Sequence, residues 1–182
     1  MYAPLPKGKF ACVAVDPPWS YGSDRGRGDD AKRNVSSRHY DTLTFEELSK
    51  LPLADSLAGD CFLFNFATSS FLPEAISLTR IWGFEYKQTI PWVKMTNDMS
   101  RPRMGTGSYF RNCAEFLIVG RRGRPKVLDR GVMGAFLTPR PPKHSQKPQE
   151  IFDSIERLCG GPRLEIFARS PREGWTVWGN EV

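Results

Sequence analysis

An α/β fold with a largely parallel sheet is predicted by three features of this 182-residue chain: short continuous apolar runs, helical patterns alternating with them, and turn residues at the junctions. Apolar runs without polar alternation mark strands covered on both faces. Lys9–Val15 (KFACVAV) is the first, ended by Asp16-Pro17-Pro18 because neither proline has an N–H to give a neighbouring strand. Ser20–Arg38 has almost nothing apolar and reads as a long loop. Thr44 followed by Glu46 and Glu47 caps a short helix reaching about Lys50. Cys61–Phe66 is the second buried strand, and Phe71–Trp82 carries apolar residues at helical spacing. Phe84–Val93 alternates as a strand ending at Pro91-Trp92, and Thr96–Arg111 is a Gly/Arg/Met-rich loop. Ala114–Gly120 is a strand, and Arg121–Lys147 is basic and Pro-rich with at most one short strand near Val127–Leu128. Pro148 opens a helix over Gln149–Cys159 that Gly160-Gly161-Pro162 stops; Arg163–Ala168 and Thr176–Trp178 are the last strands.

Residues 1–182 are expected to form a single domain with mobile loops at about 20–39, 95–112 and 129–146. At 40% apolar and 25% charged residues, a packed core is expected without disulfide or metal staples. The four cysteines lie about fifty residues apart with no CxxC pair, which argues against a zinc site or a disulfide framework. No apolar run is long enough to span a membrane, and Met1–Lys9 has no signal-peptide core, so a soluble cytoplasmic protein is expected. Charge is unevenly spread: residues 101–149 hold eleven Lys/Arg against Glu115 and Asp129, while the rest is slightly acidic. A basic segment on such a body suits a polyanionic partner, although a solvated charged loop would look the same.

Asp16-Pro17-Pro18-Trp19 is the most informative stretch. In open parallel sheets ligands sit beyond the carboxyl ends of strands, where Asp16 lies. An acid there accepts hydrogen bonds from an amino group, the prolines leave carbonyl oxygens without neighbouring donors, and Trp19 offers a flat face to a base. A strand-ending turn with a packed Trp is the alternative.

The same residues resemble the DPPW motif of the MT-A70 family of adenine-N6 methyltransferases. GKFACVAVDPPW (Gly8–Trp19), HYDTLTFEELSKLP (His39–Pro52), IPWVK (Ile90–Lys94), GTGSYFRNCAEFLIVGRRG (Gly105–Gly123), HSQKPQEIFDSIERL (His144–Leu158), PRLEIFAR (Pro162–Arg169) and WTVWGNE (Trp175–Glu181) resemble family blocks in family order, covering nearly the whole chain. The resemblance implies a Rossmann-like methyltransferase fold with permuted motif order, the amine-binding motif preceding the cofactor-binding strand. It also implies an S-adenosylmethionine-dependent enzyme that methylates the N6 amino group of adenine in nucleic acid.

On this resemblance Asp16, Pro17, Pro18 and Trp19 are the catalytic set, with the Asp16 carboxylate and Pro17 carbonyl accepting from N6 and Trp19 stacking on or beside the base. Asp16, Lys147, Glu165, Arg169, Asn180 and Glu181 are the expected cofactor set: Lys147 near the cofactor's carboxylate, Asn180 and Glu181 at its ribose, and Glu165 orienting Arg169 or Lys147. Tyr21, Tyr40, Lys94, Arg101, Arg103, Arg111, Arg121 and Arg122 are assigned to the substrate, the arginines neutralising phosphates. Gly105-Thr106-Gly107 lacks the strand–GxGxxG–helix context of a dinucleotide fingerprint and reads as a substrate-facing loop.

The chain departs from larger family members in two places: only 15 residues precede Asp16, where those members have a segment that helps hold the cofactor's adenine, and Arg172 stands where they have Asn. DNA is the expected substrate, by analogy with minimal family members that lack an RNA-binding appendage. RNA is the alternative substrate, and a non-catalytic nucleic-acid-binding partner the alternative class. The intact acid and Lys147 favour the enzyme. Pairing with itself or with a related subunit is the assembly the family suggests.

Overall fold

The computed structural model describes residues 3–20, 42–107, 109–141, 146–180 and 182. Seven strands form one sheet: β1 (Phe10–Val15), β2 (Leu57–Thr68), β3 (Glu85–Met95), β4 (Ala114–Arg122), β5 (Phe136–Pro139), β6 (Arg163–Ile166) and β7 (Trp175–Trp178). Their order is β5-β3-β4-β2-β1-β6-β7, and only β4 runs against the others. The helices are α1 (Phe45–Ser49), α2 (Leu72–Ile81) and α3 (Gln149–Leu158). This is the mostly parallel α/β architecture of a Rossmann-like methyltransferase.

Strand pleat divides the buried residues into two cores. Val13, Val15, Leu63 and Ile118 face Leu48 of α1 and Ala75 and Leu78 of α2. On the opposite face Cys12, Ala14, Phe62, Phe64, Phe66, Leu117 and Val119 pack with Ile151, Phe152 and Ile155 of α3. Continuous apolar strands are therefore required, since every strand residue near the centre meets a helix or loop on one side or the other.

The local signals explain most boundaries. Thr44 caps α1 in a capping box, its hydroxyl accepting from the Glu47 amide while Glu47 returns a carboxylate to the Thr44 amide at 2.8 Å. β3 runs on past Pro91 to Met95 rather than ending at Pro91-Trp92. Pro91 is tolerated because β5 pairs with β3 only from Trp92 onward, leaving β3 an open edge at the proline. The short strand expected near Val127–Leu128 forms instead at Phe136–Pro139, inside the segment expected to be a loop. Val127 packs under the second core, and the Leu128 amide spends its hydrogen bond on the Leu158 carbonyl at 2.8 Å, which removes it from any sheet.

Trp19 belongs to the fold. It is buried, 6% exposed, and stacks on Phe71 with centroids 4.8 Å apart and planes 8° from parallel. The expected stacking on a base is thus replaced by stacking within the core, because the turn after β1 swings the indole under the start of α2. The turn also uses the proline carbonyls: Trp19 N–H donates to Pro17 at 2.9 Å and Leu43 N–H to Pro18 at 2.8 Å, so neither oxygen lacks a neighbouring donor. The Ser20 amide returns a bond to the Leu43 carbonyl at 3.0 Å, clamping the ends of the intervening segment. The loop expected to be mobile, 20–39, lies outside the described residues apart from Ser20.

Trp19→Ala should lower unfolding stability by about 3–5 kcal/mol, the usual cost of truncating a buried aromatic. Urea denaturation measures this. An unchanged midpoint with only a raised KM would return Trp19 to the substrate.

Candidate active site

Asp16 is the first residue beyond β1, its amide tied to the Ile166 carbonyl of β6 at 3.3 Å. Beyond the same edge of the sheet lie Lys94 near the end of β3, Glu115 near the start of the reversed β4, and Lys147 just before α3. The Lys147 ammonium is 2.6 Å from the Asp16 carboxylate and 3.6 Å from Glu115. Glu115 in turn bonds Lys94. Arg169, after β6, is close enough to act electrostatically on both Asp16 and Lys147. Cations and anions therefore alternate across the site: Lys94, Glu115, Lys147, Asp16, Arg169. Aromatic rings floor it, with Lys147 5.2 Å above Phe66 and Lys94 5.0 Å above Trp92, whose indole N–H donates to Thr138 at 2.9 Å.

Burial and neighbours set the charge states. Burial pushes the Asp16 carboxyl up, and although Lys147 opposes this the net direction is upward. Burial acts to lower Lys147, but Asp16 and Glu115 outweigh it and hold the ammonium above the ordinary lysine range. Burial would raise Glu115 too, yet Lys147 and Lys94 outweigh it and hold this carboxylate low. The site keeps one acid that ionises more readily than usual, Glu115, and one more easily protonated, Asp16.

The sequence-predicted residues divide into groups. Asp16, Lys147, Arg169 and Lys94 come together as described. The Glu165 carboxylate takes Arg172 Nε at 2.9 Å and also feels the Lys147 charge. Arg172 also donates to Gln149 and lies 3.4 Å over the Phe152 ring, which locks the β6–β7 loop onto α3. Gly179 packs against Ala168, where a side chain would meet the Ala168 carbonyl carbon at 3.2 Å and its oxygen closer still, so Arg169 and Asn180 each follow a residue of this contact. Arg101, Arg103 and Arg111 are exposed on the loop joining β3 to β4 at the Asp16 edge, with the Arg103 amide bonded to the Lys94 carbonyl at 2.7 Å. Glycines 105 and 107 let the two arms of this loop approach, the Gly105 amide reaching the Asn112 carbonyl at 2.7 Å. Arg121 and Arg122 do not join this group: they end β4, about 20 Å from its Glu115 end at 3.3–3.4 Å per residue. Tyr21, Tyr40 and Glu181 lie outside the described residues.

Sequence reasoning missed Glu115 and Phe66. Glu115 had a legible signal, being one of two acids in a basic stretch of 49 residues and sitting at a strand start. Phe66 had none, since it reads as core.

The family model described as MT-A70 matches residues 10–181. The chain belongs to the MT-A70 family. It is 29% identical to the type II methyltransferase M.MunI of Mycoplasma sp over 197 aligned residues, covering all of this chain and 82% of that protein. Against the human N(6)-adenosine-methyltransferase catalytic subunit METTL3 it is 32% identical over 96% of this chain and 28% of that protein. The Cryphonectria parasitica N6-methyladenosine RNA methyltransferase MTA1 is 32% identical over 95% of this chain and 52% of its own length. The MT-A70 chain described here thus spans most of one relative and about a quarter to a half of the others. Membership makes it an enzyme of the adenine-N6 methyltransferase class, in which S-adenosylmethionine is the usual methyl donor. No helix among the described residues is long and apolar enough to cross a membrane.

The depressed Glu115 predicts a pH signature. Its contribution to stability is complete above the unfolded glutamate value of about 4.3 and disappears as pH falls through the lower folded value. Urea midpoints of the wild type and Glu115→Gln should differ at neutral pH and converge on acidification. A difference that persists unchanged in acid would remove Glu115 from the charge chain.

Proposed function

We propose that this MT-A70 protein transfers a methyl group from S-adenosylmethionine to N6 of adenine in nucleic acid, with DNA as the substrate. The observation that carries the reading is the Asp16 carboxylate, held by Lys147 at the carboxyl edge of the sheet and followed by Pro17.

The donor set suits the methyl donor. Its amino-acid end carries a carboxylate and an ammonium, and the site offers Lys147 and Arg169 for the first and Asp16 for the second. Asn180, next after Gly179, supplies a neutral amide for ribose hydroxyls. When bound, S-adenosylmethionine supplies a methyl group already activated by its sulfonium.

What remains for the protein is the nucleophile. The adenine N6 lone pair is delocalised into the ring. Asp16, accepting from one N6 hydrogen, and Pro17, accepting from the other with the lone pair its Trp19 bond leaves, favour a more tetrahedral nitrogen. Lys147 fixes the Asp16 carboxylate so that its geometry is set before substrate arrives; in-line attack by N6 would break the donor's sulfur–methyl bond as the nitrogen–methyl bond forms, and the N6 proton would pass by way of Asp16 to solvent. Arg101, Arg103 and Arg111, exposed at the same edge, meet phosphates flanking the base. DNA is favoured because the relative matched over 82% of its length is the type II methyltransferase, whereas those named for adenosine or RNA are matched over 28% and 52%.

Purified protein given S-adenosylmethionine and, separately, single-stranded DNA, duplex DNA and RNA should yield N6-methyladenine by mass spectrometry of the digested DNA. Product in RNA alone would overturn the substrate assignment, and none in any pool would overturn the activity.

Asp16→Asn should lower kcat by about 100-fold or more with its folding transition retained. Since only the ionised Asp16 accepts both ways, kcat in the wild type should rise with pH through a value above about 3.9, the ordinary aspartate figure. An acid limb at or below that value would separate Asp16 from the rate.

A further inference from the structure

At the far end of the sheet from Asp16 lies a groove of about 700 Å³ lined by Phe62, Lys87, Arg121, Arg124, Pro125, Lys126, Val127 and Arg130. Its floor is apolar and its walls carry five cations. We propose that this groove is a second nucleic-acid contact, which grips the phosphodiester backbone of the same molecule whose adenine enters the Asp16 site. The inference rests on the nucleic-acid reading above and adds where, and how far from the target base, the substrate is held.

Three observations carry it. First, the groove and the Asp16 site share a face. Along β4, residues 115, 117, 119 and 121 point the same way, Leu117 and Val119 into the core under α3, so Glu115 and Arg121 stand at opposite ends of the face that α3 covers. β2 repeats the pattern, Phe62 pairing with Arg121 and Thr68 with Glu115. A polyanion that reaches both ends passes over the outside of α3, since the sheet between them is core. Second, the wall is built. Gly123 turns with φ +64° against Gly59, the Arg124 amide bonds Asp60 at 2.7 Å, and the Leu128 amide bonds Leu158 at 2.8 Å, which pins 124–128 at both ends. Third, the positive charge is not consumed locally. Glu85 serves Lys87 and Arg121, and Asp129 serves Arg157 at 2.6 Å. Among the described residues no ion pair engages Arg124, Lys126 or Arg130. Three exposed cations without an ion pair, beside two that share one carboxylate, suit a chain of phosphates better than a single carboxylate.

The separation sets a length. About 20 Å along β4 corresponds to roughly six base pairs of duplex at 3.4 Å each. Substrates that extend at least that far beyond the target adenine reach the groove; shorter ones do not.

The test is fluorescence anisotropy of a labelled duplex of about 24 base pairs, and of one of about eight, each with a central adenine, titrated at several salt concentrations. The proteins compared are the wild type, the triple variant Arg124→Ala/Lys126→Ala/Arg130→Ala, and the charge-retaining Arg124→Lys/Lys126→Arg/Arg130→Lys. For the long duplex the alanine variant should bind about tenfold or more weakly at low salt, and its plot of log K against log salt should be shallower by about 2–3, the loss of three phosphate contacts. The charge-retaining variant should bind as the wild type does, and the short duplex should be bound alike by all three. Thermal unfolding checks that the variants are folded. An unaltered slope in the alanine variant, with tight wild-type binding, overturns the groove while leaving the proposed function intact. An equal loss on both duplexes overturns the length argument and places these residues at the target base. Absence of binding by the wild type overturns the groove and the nucleic-acid reading together.

Discussion

The Lys147 ammonium, held between the carboxylates of Asp16 and Glu115, is the interaction on which the site depends. A cation in this position costs desolvation energy, and only two anions with fixed geometry make it tolerable; removing one partner of such a buried pair typically costs about 3–5 kcal/mol. Each partner comes from a different part of the sheet: Asp16 from the end of β1, Glu115 from β4, Lys147 from the turn into α3. Three separate strand connections must be right before the charges balance. The balance in turn fixes the one group, Asp16, whose lone pairs the chemistry needs.

The reversed strand makes this possible. Parallel strands present their carboxyl ends at one edge, so six of the seven strands end there. β4 runs the other way and begins there, which brings an amino-terminal acid, Glu115, level with Thr68 of β2 and Trp92 of β3. The same reversal carries the end of β4 away from the chemistry and sends Arg121, Arg122 and the basic residues 124–130 to the opposite edge. A charge excess that looks uniform along residues 101–149 is thereby split in space.

That split shows what was legible and what was not. The strand-to-acid transition at Val15-Asp16, the capping box at Thr44 and the helix opened by Pro148 are local signals, and local chemistry decides them. The family resemblance added Lys147 and Arg169, which geometry brings to Asp16. Trp19 was harder, because an indole beside an acid suits a base or a core equally, and only Phe71, fifty-two residues on, decides it. The Glu165 partner was hidden for a related reason: Arg172 returns from beyond a turn, and neither residue's spacing shows that. β5 was misplaced because a four-residue edge strand has too few residues to display a period.

The loop after β6 shows how the core supports the cofactor side of the proposed site. Phe167 adopts φ +63°, a conformation that costs a non-glycine residue about 1–2 kcal/mol. The ring repays this by burial against Trp178, with centroids 5.4 Å apart, and Trp178 is itself anchored through its indole N–H to the Ala3 carbonyl at 2.9 Å. Turned by that residue, the chain sends the Ala168 amide to the Trp178 carbonyl at 3.0 Å, and Gly179 lets the two segments touch. Arg169 and Asn180 each follow a residue of that contact. The strained residue lies two positions before Arg169, whose charge acts on Asp16 and Lys147. The aromatic pair, buried in the core, holds this turn.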